Sequence, residues 1–163
     1  MNIGIDFDRV LFDTDRFNKY LKDETGLYHV EEDLYDEKGC YSPEKHAKAC
    51  GIETEEIFDA MHDLNRFLYN DVDKLRDLKP RHTLFLVTRG QEKFQKQKIK
   101  ASGAQRLFDQ LTVVQGASKD IADIDYLVDD REDEIEAVDI PGMVFKRGEN
   151  TISDVINEIG ELS

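Results

Sequence analysis

Short apolar runs recur at five places along the chain, and they constrain its fold more than any other feature. Each run is nearly continuous in apolar residues, which is typical of strands that are buried on both faces of a parallel sheet. Strands that alternate with amphipathic helical patterns predict an α/β fold, a doubly wound, Rossmann-like parallel sheet with right-handed crossovers. The predicted strands are Asn2–Phe7, Thr83–Thr88, Leu111–Val114, Tyr126–Val128 and Met143–Phe145, and the later ones are separated or followed by helical patterns at Phe94–Gly103, Ile135–Val138 and Ile152–Leu162.

The segment between residues 15 and 79 interrupts this alternation. Apolar residues at helical spacing in Phe17–Leu21 and again in Ile57–Leu68 predict helices on either side of a polar stretch at 31–43. We expect residues 1–14 and 80–163 to form the α/β core and residues 15–79 to form a small helical cap. Because this insertion begins just beyond the first strand, it could fold over the end of that strand as a lid.

The charge of the chain limits its partners. The 163 residues include 36 acidic and 22 basic side chains, for a net charge of −14. This balance disfavours nucleic acid and anionic membranes, which bind clustered Lys and Arg. No apolar run reaches the length of a membrane helix, and the N-terminus runs straight into a strand, so we expect a cytoplasmic protein. Cys40 and Cys50 are expected to be free thiols, since a zinc site with His29 and His46 would fit no standard spacing.

The first apolar run ends in two aspartates, Asp6 and Asp8, that are separated by one residue. Alternate side chains of a strand share a face, so both carboxylates could leave the end of the strand toward one point. Two acids there repel each other by roughly 1 kcal/mol or more unless a cation or a shared proton lies between them. A hard divalent metal ion is the natural candidate.

Polar residues also follow the second and fourth predicted strands. Ligands of open α/β sheets bind at the carboxyl ends of the strands, so these residues could join the two aspartates. The hydroxyl and turn amides of Thr88–Gly90 could hold an anion, and the fourth strand leads into the acidic segment Asp129–Glu134. Lys119 lies in the loop after the third strand.

This ordered set resembles the haloacid dehalogenase-like hydrolase superfamily, whose members are mostly phosphatases and phosphotransferases. The resemblance covers the whole chain as four short motifs. Asp6-Phe7-Asp8-Arg9-Val10 looks like the first motif, Thr88 matches the second, Lys119 the third, and Val128–Ile135 the acidic fourth. The insertion lies where such enzymes often carry a helical cap.

The resemblance implies a mechanism and a cofactor. Asp6 would be the nucleophile that forms an aspartyl-phosphate, and Asp8 would protonate the leaving oxygen and then activate water. Asp8 also favours phosphoryl transfer over dehalogenation, because a departing halide needs no proton. Magnesium would be held by Asp6, the backbone carbonyl of Asp8, and Asp130, with Asp129 or Glu134 completing its shell. As a general acid, Asp8 would need a raised pKa.

The phosphate would be bound by residues of the second and third motifs. The resemblance implies that Thr88 hydrogen-bonds the transferring phosphoryl group and that Lys119 neutralises charge on it and on Asp6. Arg89 is a further candidate for binding phosphate, with a structural ion pair as the alternative. The sequence departs from the family pattern at Arg9, where Gly is common. The lysines after Gly90 look like a solvated helix face that competes weakly for the role of Lys119, namely Lys93, Lys96, Lys98 and Lys100.

Each of these motifs also has a structural interpretation. Thr88 could cap a helix, Lys119 could be a solvated loop lysine, and Asp129–Glu134 could be an acidic helix start. Taken together, they predict a Mg²⁺-dependent phosphatase that acts on a small phosphorylated metabolite, such as a nucleotide or a sugar phosphate. Two alternatives stay open: a phosphoprotein phosphatase, and a non-catalytic metal- or phosphate-binding protein. The oligomeric state cannot be predicted from these residues.

Overall fold

The structure is a computed structural model that describes residues 1–28 and 33–162. Its centre is a parallel sheet of five strands. The five apolar runs predicted as strands all lie in this sheet, with ends that differ by one or two residues. The strands are β1 (Asn2–Ile5), β2 (Thr83–Arg89), β3 (Gln110–Val114), β4 (Tyr126–Asp129) and β5 (Gly142–Val144).

The strand order is β3-β2-β1-β4-β5, so β1 lies in the middle. β1 pairs with β2 on one side, with Ile5 opposite Leu86, and with β4 on the other, with Ile5 opposite Val128. The chain therefore winds outward from β1 in both directions, which confirms the predicted doubly wound α/β fold. A crevice forms at the carboxyl end of β1, where the strand order reverses.

Six α-helices and four short 3₁₀ segments surround the sheet in the described part of the chain. The predicted helix after β2 is confirmed; it ends at Ser102 and is capped by Gly103, whose φ of +77° is a left-handed conformation that glycine adopts without strain. The α-helices are α1 (Thr14–Thr25), α2 (Pro43–Cys50), α3 (Thr54–Asp59), α4 (Glu92–Ser102), α5 (Glu132–Glu136) and α6 (Ile152–Leu162), and the 3₁₀ segments are Leu64–Phe67, Val72–Leu78, Ala104–Leu107 and Lys119–Ala122.

The segment between β1 and β2 is helical, but not as the spacing of its apolar residues predicts. Instead of one helix through Ile57–Leu68, α3 ends at Asp59 and a separate 3₁₀ turn begins at Leu64. Asp63 between them is left-handed, with φ +50°, which an α-helix cannot contain. Ile57 and Leu64 are nevertheless fully buried, because tertiary packing rather than one continuous helix brings them inward.

The inserted helices share one hydrophobic core with the sheet. Phe17, Leu21 and Met61 from the insertion join Ile3 and Leu84 from the strands in a single buried cluster. The division of the chain at residues 15 and 79 stays a prediction. No helix in the described residues is long and apolar enough to cross a membrane.

The two cysteines are free, as expected. Cys40 is buried and Cys50 partly so. His29, which the unfavoured zinc arrangement would need, lies outside the described residues, as does the start of the polar stretch at 31–43.

Candidate active site

The predicted site residues lie around the crevice at the carboxyl end of β1. Asp6 and Asp8 follow β1, Thr88 lies at the end of β2, and Asp129 ends β4. Lys119 reaches the same place from a 3₁₀ turn after β3. Parallel pairing brings these strand ends to one edge of the sheet, which is why residues far apart in sequence meet there.

Asp6 and Lys119 form the buried floor of the site. The backbone N–H of Asp6 donates to the carbonyl oxygen of Val128 at 2.9 Å, so Asp6 continues the line of β1 beside β4. Lys119 Nζ donates to Asp6 Oδ1 at 2.9 Å and to Asp129 Oδ2 at 2.6 Å. The three side chains are at most 7% exposed. One ammonium group thus joins two buried carboxylates, and it lies 3.5 Å from a third, Glu134 Oε2.

The buried floor of the site contains more acidic than basic side chains. Burial raises the pKa of Asp6 well above its usual value; Lys119 opposes this shift, and Asp129 adds to it. Burial also disfavours the charged form of Lys119, but Asp6 and Asp129 more than compensate, so its pKa is raised. The site therefore holds a permanent cation among more acids than that cation can neutralise.

Three carboxylates could hold a metal ion here. One oxygen each from Asp6, Asp129 and Asp130 lies within 4.8 Å of the other two. An all-oxygen donor set suits a hard cation such as Mg²⁺. Burial, and to a lesser extent the neighbouring carboxylates Asp129 and Asp130, raises the pKa of Asp6 despite Lys119, and a bound cation would oppose that shift. The residues therefore fit the predicted cofactor.

The carboxylate of Asp8 lies outside that cluster, and its predicted role of holding the metal ion through the backbone carbonyl stays a prediction. Its Oδ1 accepts hydrogen bonds from Lys98 Nζ at 2.7 Å and from Thr14 Oγ1 at 2.9 Å, and its Oδ2 accepts one from Gln95 Nε2 at 3.0 Å. Burial alone would raise the pKa of Asp8, but Lys98 and the hydrogen bonds outweigh it, so the pKa is lowered. The expectation of a raised pKa is wrong for this structure, because Lys98, Gln95 and Thr14 together stabilise the carboxylate form of Asp8.

Arg89 and Glu134 are occupied with each other. Arg89 Nε and one of its terminal nitrogens donate to the two carboxylate oxygens of Glu134 at 3.0 and 2.8 Å. The guanidinium also donates to the carbonyl oxygens of Gln115 and Ala117, so it fixes the loop that leads to Lys119. Arg89 thus makes the structural ion pair that the sequence left as the alternative, and Glu134 pairs with it rather than joining the three-carboxylate cluster.

Thr88 is fully buried beneath Gln95. The amide Nε2 of Gln95 donates to Thr88 Oγ1 at 2.6 Å, and Thr88 is 0% exposed. The threonine therefore reaches the site through Gln95, and a phosphoryl group would meet its hydroxyl only if Gln95 moved. The role of Thr88 in binding phosphate stays a prediction.

Sequence reasoning missed Gln95 and Lys98. The interpretation of the helix lysines as a solvated face is wrong for Lys98, whose side chain is 5% exposed. The sequence does contain a signal for them. Gln95 and Lys98 are next to Phe94 and Ile99 in the sequence and share their helical spacing, so the two polar residues lie on the apolar face of α4.

The site opens into a cavity of about 240 Å³. Asp6, Asp8, Lys119 and Asp130 lie at one end, while the inserted segment supplies much of the remaining wall. The volume is below the range of about 300–1,000 Å³ for drug-sized ligands, so the cavity fits a small molecule. Part of the wall is apolar or aromatic and consists of Leu21, Leu34, Tyr35, Tyr41 and Phe94.

Comparison with known proteins identifies the fold. No family model matches the sequence, and neither does any curated protein. Solved structures do match, and several are haloacid dehalogenase-like hydrolases. The chain has the haloacid dehalogenase-like fold. The parallel sheet flanked by helices is thus the fold that the four motifs predict.

Three of the similar structures cover most of both chains. A HAD family enzyme from Bacteroides thetaiotaomicron, an aspartate-to-alanine mutant in complex with magnesium and inorganic phosphate, has a TM-score of 0.60 and 19% identity over 91% of this chain and 95% of that one. A haloacid dehalogenase-like family hydrolase from Xanthomonas campestris gives 0.59 and 14% over 90% and 82%. A HAD-superfamily hydrolase from Ehrlichia chaffeensis gives 0.53 and 16% over 99% and 96%.

Proposed function

We propose that this protein is a cytoplasmic, Mg²⁺-dependent phosphatase that hydrolyses a small phosphomonoester through an aspartyl-phosphate at Asp6. The observation that carries the proposal is the contact of Asp6 with Lys119, inside a three-carboxylate cluster at the end of a cavity. The Bacteroides structure, with magnesium and inorganic phosphate, supports the same chemistry for a protein of this fold.

The first step would be attack of an Asp6 carboxylate oxygen on phosphorus. The new bond joins that oxygen to phosphorus, the bond from phosphorus to the leaving oxygen breaks, and the leaving oxygen takes a proton from Asp8. Lys119 lies against Asp6 and can neutralise charge that builds up on the phosphoryl oxygens. Magnesium bound at Asp6, Asp130 and the carbonyl of Asp8 would supply the further positive charge that lets two anions meet.

The second step would regenerate the enzyme. Asp8, now a carboxylate, takes a proton from water, the water oxygen bonds to phosphorus, and the bond from phosphorus to Asp6 breaks. The lowered pKa of Asp8 keeps it in the carboxylate form that can accept this proton. In the first step, the negative charge of a bound phosphate would raise the pKa of Asp8 and favour its protonation.

The cavity favours a small substrate over a phosphoprotein. Its wall includes Tyr35, Cys40 and Tyr41 from the insertion, so residues of the insertion narrow the access to the acidic end. Phe94 and Tyr41 have ring centroids 4.6 Å apart and form a firm apolar wall beyond the acidic end. A nucleotide or a sugar phosphate offers the size and the partly apolar surface that this wall requires.

The test is phosphate release from a panel of nucleoside monophosphates, sugar phosphates, nitrophenyl phosphate and phosphopeptides, with Mg²⁺ and with a chelator. We expect Mg²⁺-dependent release by the wild type and none by Asp6→Asn. The matched control is Asp139→Asn, an exposed position away from the cavity.

Each other outcome would favour an alternative. Release from phosphopeptides alone would favour a phosphoprotein phosphatase. Binding of Mg²⁺ without release from any compound would favour a non-catalytic role. Full activity in Asp6→Asn would refute the proposed mechanism.

A further inference from the structure

Lys98 is a buried cation whose position the proposed mechanism does not explain. It projects from α4 toward the turn after β1, and its Nζ lies 2.7 Å from Asp8 Oδ1. Among the described residues, Asp8 supplies the hydrogen-bond acceptor for this ammonium. Burying a charged lysine costs several kcal/mol unless an acid pairs with it, so the charged state of Lys98 depends on Asp8, and that of Asp8 on Lys98.

Aromatic rings surround the ammonium group of Lys98. The ring centroids of Phe7, Phe12, Phe17 and Phe94 lie 5.2–5.8 Å from Nζ. The faces of aromatic rings at this distance attract a cation, but a ring has no oxygen or nitrogen that could accept a strong hydrogen bond from it. The cage therefore fixes the cation while leaving its strongest interaction to the Asp8 carboxylate.

Gln95 holds the other oxygen of the same carboxylate. It lies one turn before Lys98 on α4, and its Nε2 donates both to Asp8 Oδ2 and to Thr88 Oγ1. Gln95 packs closely against Gly90, since a Cβ at position 90 would lie 2.6 Å from Gln95 Cγ. The i, i+3 spacing puts both donors on one face of α4, and each takes one oxygen of Asp8.

We infer that Lys98 and Gln95 are positioning residues that hold the general acid–base carboxylate of Asp8 beside the cavity and apart from the three-carboxylate cluster. This inference rests on the proposed function. Without these two donors, Asp8 would keep only the hydrogen bond from Thr14 and could turn toward the cluster of Asp6, Asp129 and Asp130. The hydrogen bonds from Lys98 and Gln95 keep the Asp8 carboxylate available to the leaving oxygen, while the other three carboxylates remain available to the metal ion.

A structural role alone would predict different kinetics. If the pair only tied α4 to the turn after β1, its loss would weaken the fold and lower activity on all substrates alike. If Lys98 bound the phosphate directly, its loss would also affect every phosphomonoester equally. A residue that acts through Asp8 should matter most for substrates whose leaving oxygen needs a proton.

The experiment compares kcat/KM for two substrates in Lys98→Met, Gln95→Met and Asp8→Asn. One is a sugar phosphate or nucleotide that the wild type hydrolyses, with a poor leaving group, and the other is nitrophenyl phosphate, whose leaving group departs without a proton. Because kcat/KM reports the steps up to formation of the aspartyl-phosphate, it isolates the proton donation by Asp8. Lys100→Met, an exposed lysine of the same helix, is the matched control.

We expect Lys98→Met to lower kcat/KM about 100-fold on the poor leaving group and less than tenfold on nitrophenyl phosphate, as Asp8→Asn does. Gln95→Met should show the same pattern more weakly. In the double variant Asp8→Asn/Lys98→Met, which removes both charges and so leaves none unpaired, the loss should equal that of Asp8→Asn alone.

Equal losses on both substrates, or a further loss in the double variant, would overturn the positioning role and leave the proposed function intact. Should Lys98→Met fail to fold, Gln95→Met and the double variant decide the matter by the same ratio. A wild type that releases phosphate from neither substrate would refute the proposed function, and this inference with it.

Discussion

His46 offers a quantitative test of how the insertion is built. It is 1% exposed and lies between two hydroxyl groups, with Tyr41 Oη 2.5 Å from Nδ1 and Thr25 Oγ1 2.7 Å from Nε2. Thr25 Oγ1 also donates to the carbonyl oxygen of Leu21, so it accepts from His46, and Tyr41 donates to the neutral ring. Burial, and to a lesser extent Lys22, lowers the pKa of His46 to about 4.

The lowered pKa makes stability depend on pH with a defined sign. In the unfolded chain the pKa of His46 returns to about 6.5, so between pH 6.5 and 4 the unfolded state binds more protons than the folded state. Stability is therefore present above pH 6.5 and is lost as the pH falls toward 4. At about 1.4 kcal/mol per pKa unit, the loss reaches about 3 kcal/mol at pH 4.

The assay is urea unfolding of the wild type and His46→Gln at several pH values from 7.5 to 4. Carboxylates also titrate in this range, but they are common to both proteins and cancel in the difference. We expect the wild type to lose about 3 kcal/mol relative to His46→Gln across the window. Parallel pH profiles for the two proteins would refute the buried, neutral histidine.

Three further predictions concern the site itself. In the absence of metal, Lys119→Met should lower the free energy of unfolding by about 3–5 kcal/mol, because it leaves the buried charges of Asp6 and Asp129 without a partner. Urea unfolding measures this loss, with Lys100→Met as the control, and a loss below about 1 kcal/mol would contradict the prediction. Mg²⁺ at about 100 times its Kd should stabilise the wild type by about 2.7 kcal/mol in thermal unfolding, and an equal shift in Asp130→Asn would count against the three-carboxylate site. Gly90→Ala should cost about 1–3 kcal/mol, because the residue has φ +154° and faces Gln95, and unchanged stability would show that Gln95 moves freely.

The fold could be predicted from the sequence because its signals are local. Each strand of the sheet is a short apolar run, and each predicted polar cluster follows directly after a strand. Parallel pairing of β1 with β4 brings Asp6 and Asp129 together, while Lys119 reaches them from the loop after β3. The insertion was harder to predict, since the periodicity through Ile57–Leu68 shows which residues are buried but not that Asp63 breaks the helix.

The orientation of Asp8 could not be predicted because it depends on a long-range pairing. Strand alternation places Asp8 with Asp6, but the chain leaves β1 at Ile5, and Val10, Leu11 and Phe12 fold back to donate to the carbonyl oxygen of Phe7. This turn directs Asp8 toward α4, a helix about 90 residues later in the sequence. The partners there are recognisable only once α4 is known to pack against that turn.

The central claim is that Asp6 is the nucleophile, and trapping its phosphorylated form tests this most directly. Asp8→Asn should hydrolyse the intermediate slowly yet still form it from nitrophenyl phosphate, so acid quenching during turnover should preserve the adduct. We predict that mass spectrometry finds one phosphoryl group on the peptide that contains Asp6, and none in Asp6→Asn/Asp8→Asn. Turnover with no phosphorylated peptide, or a phosphoryl group on another residue, would contradict the account.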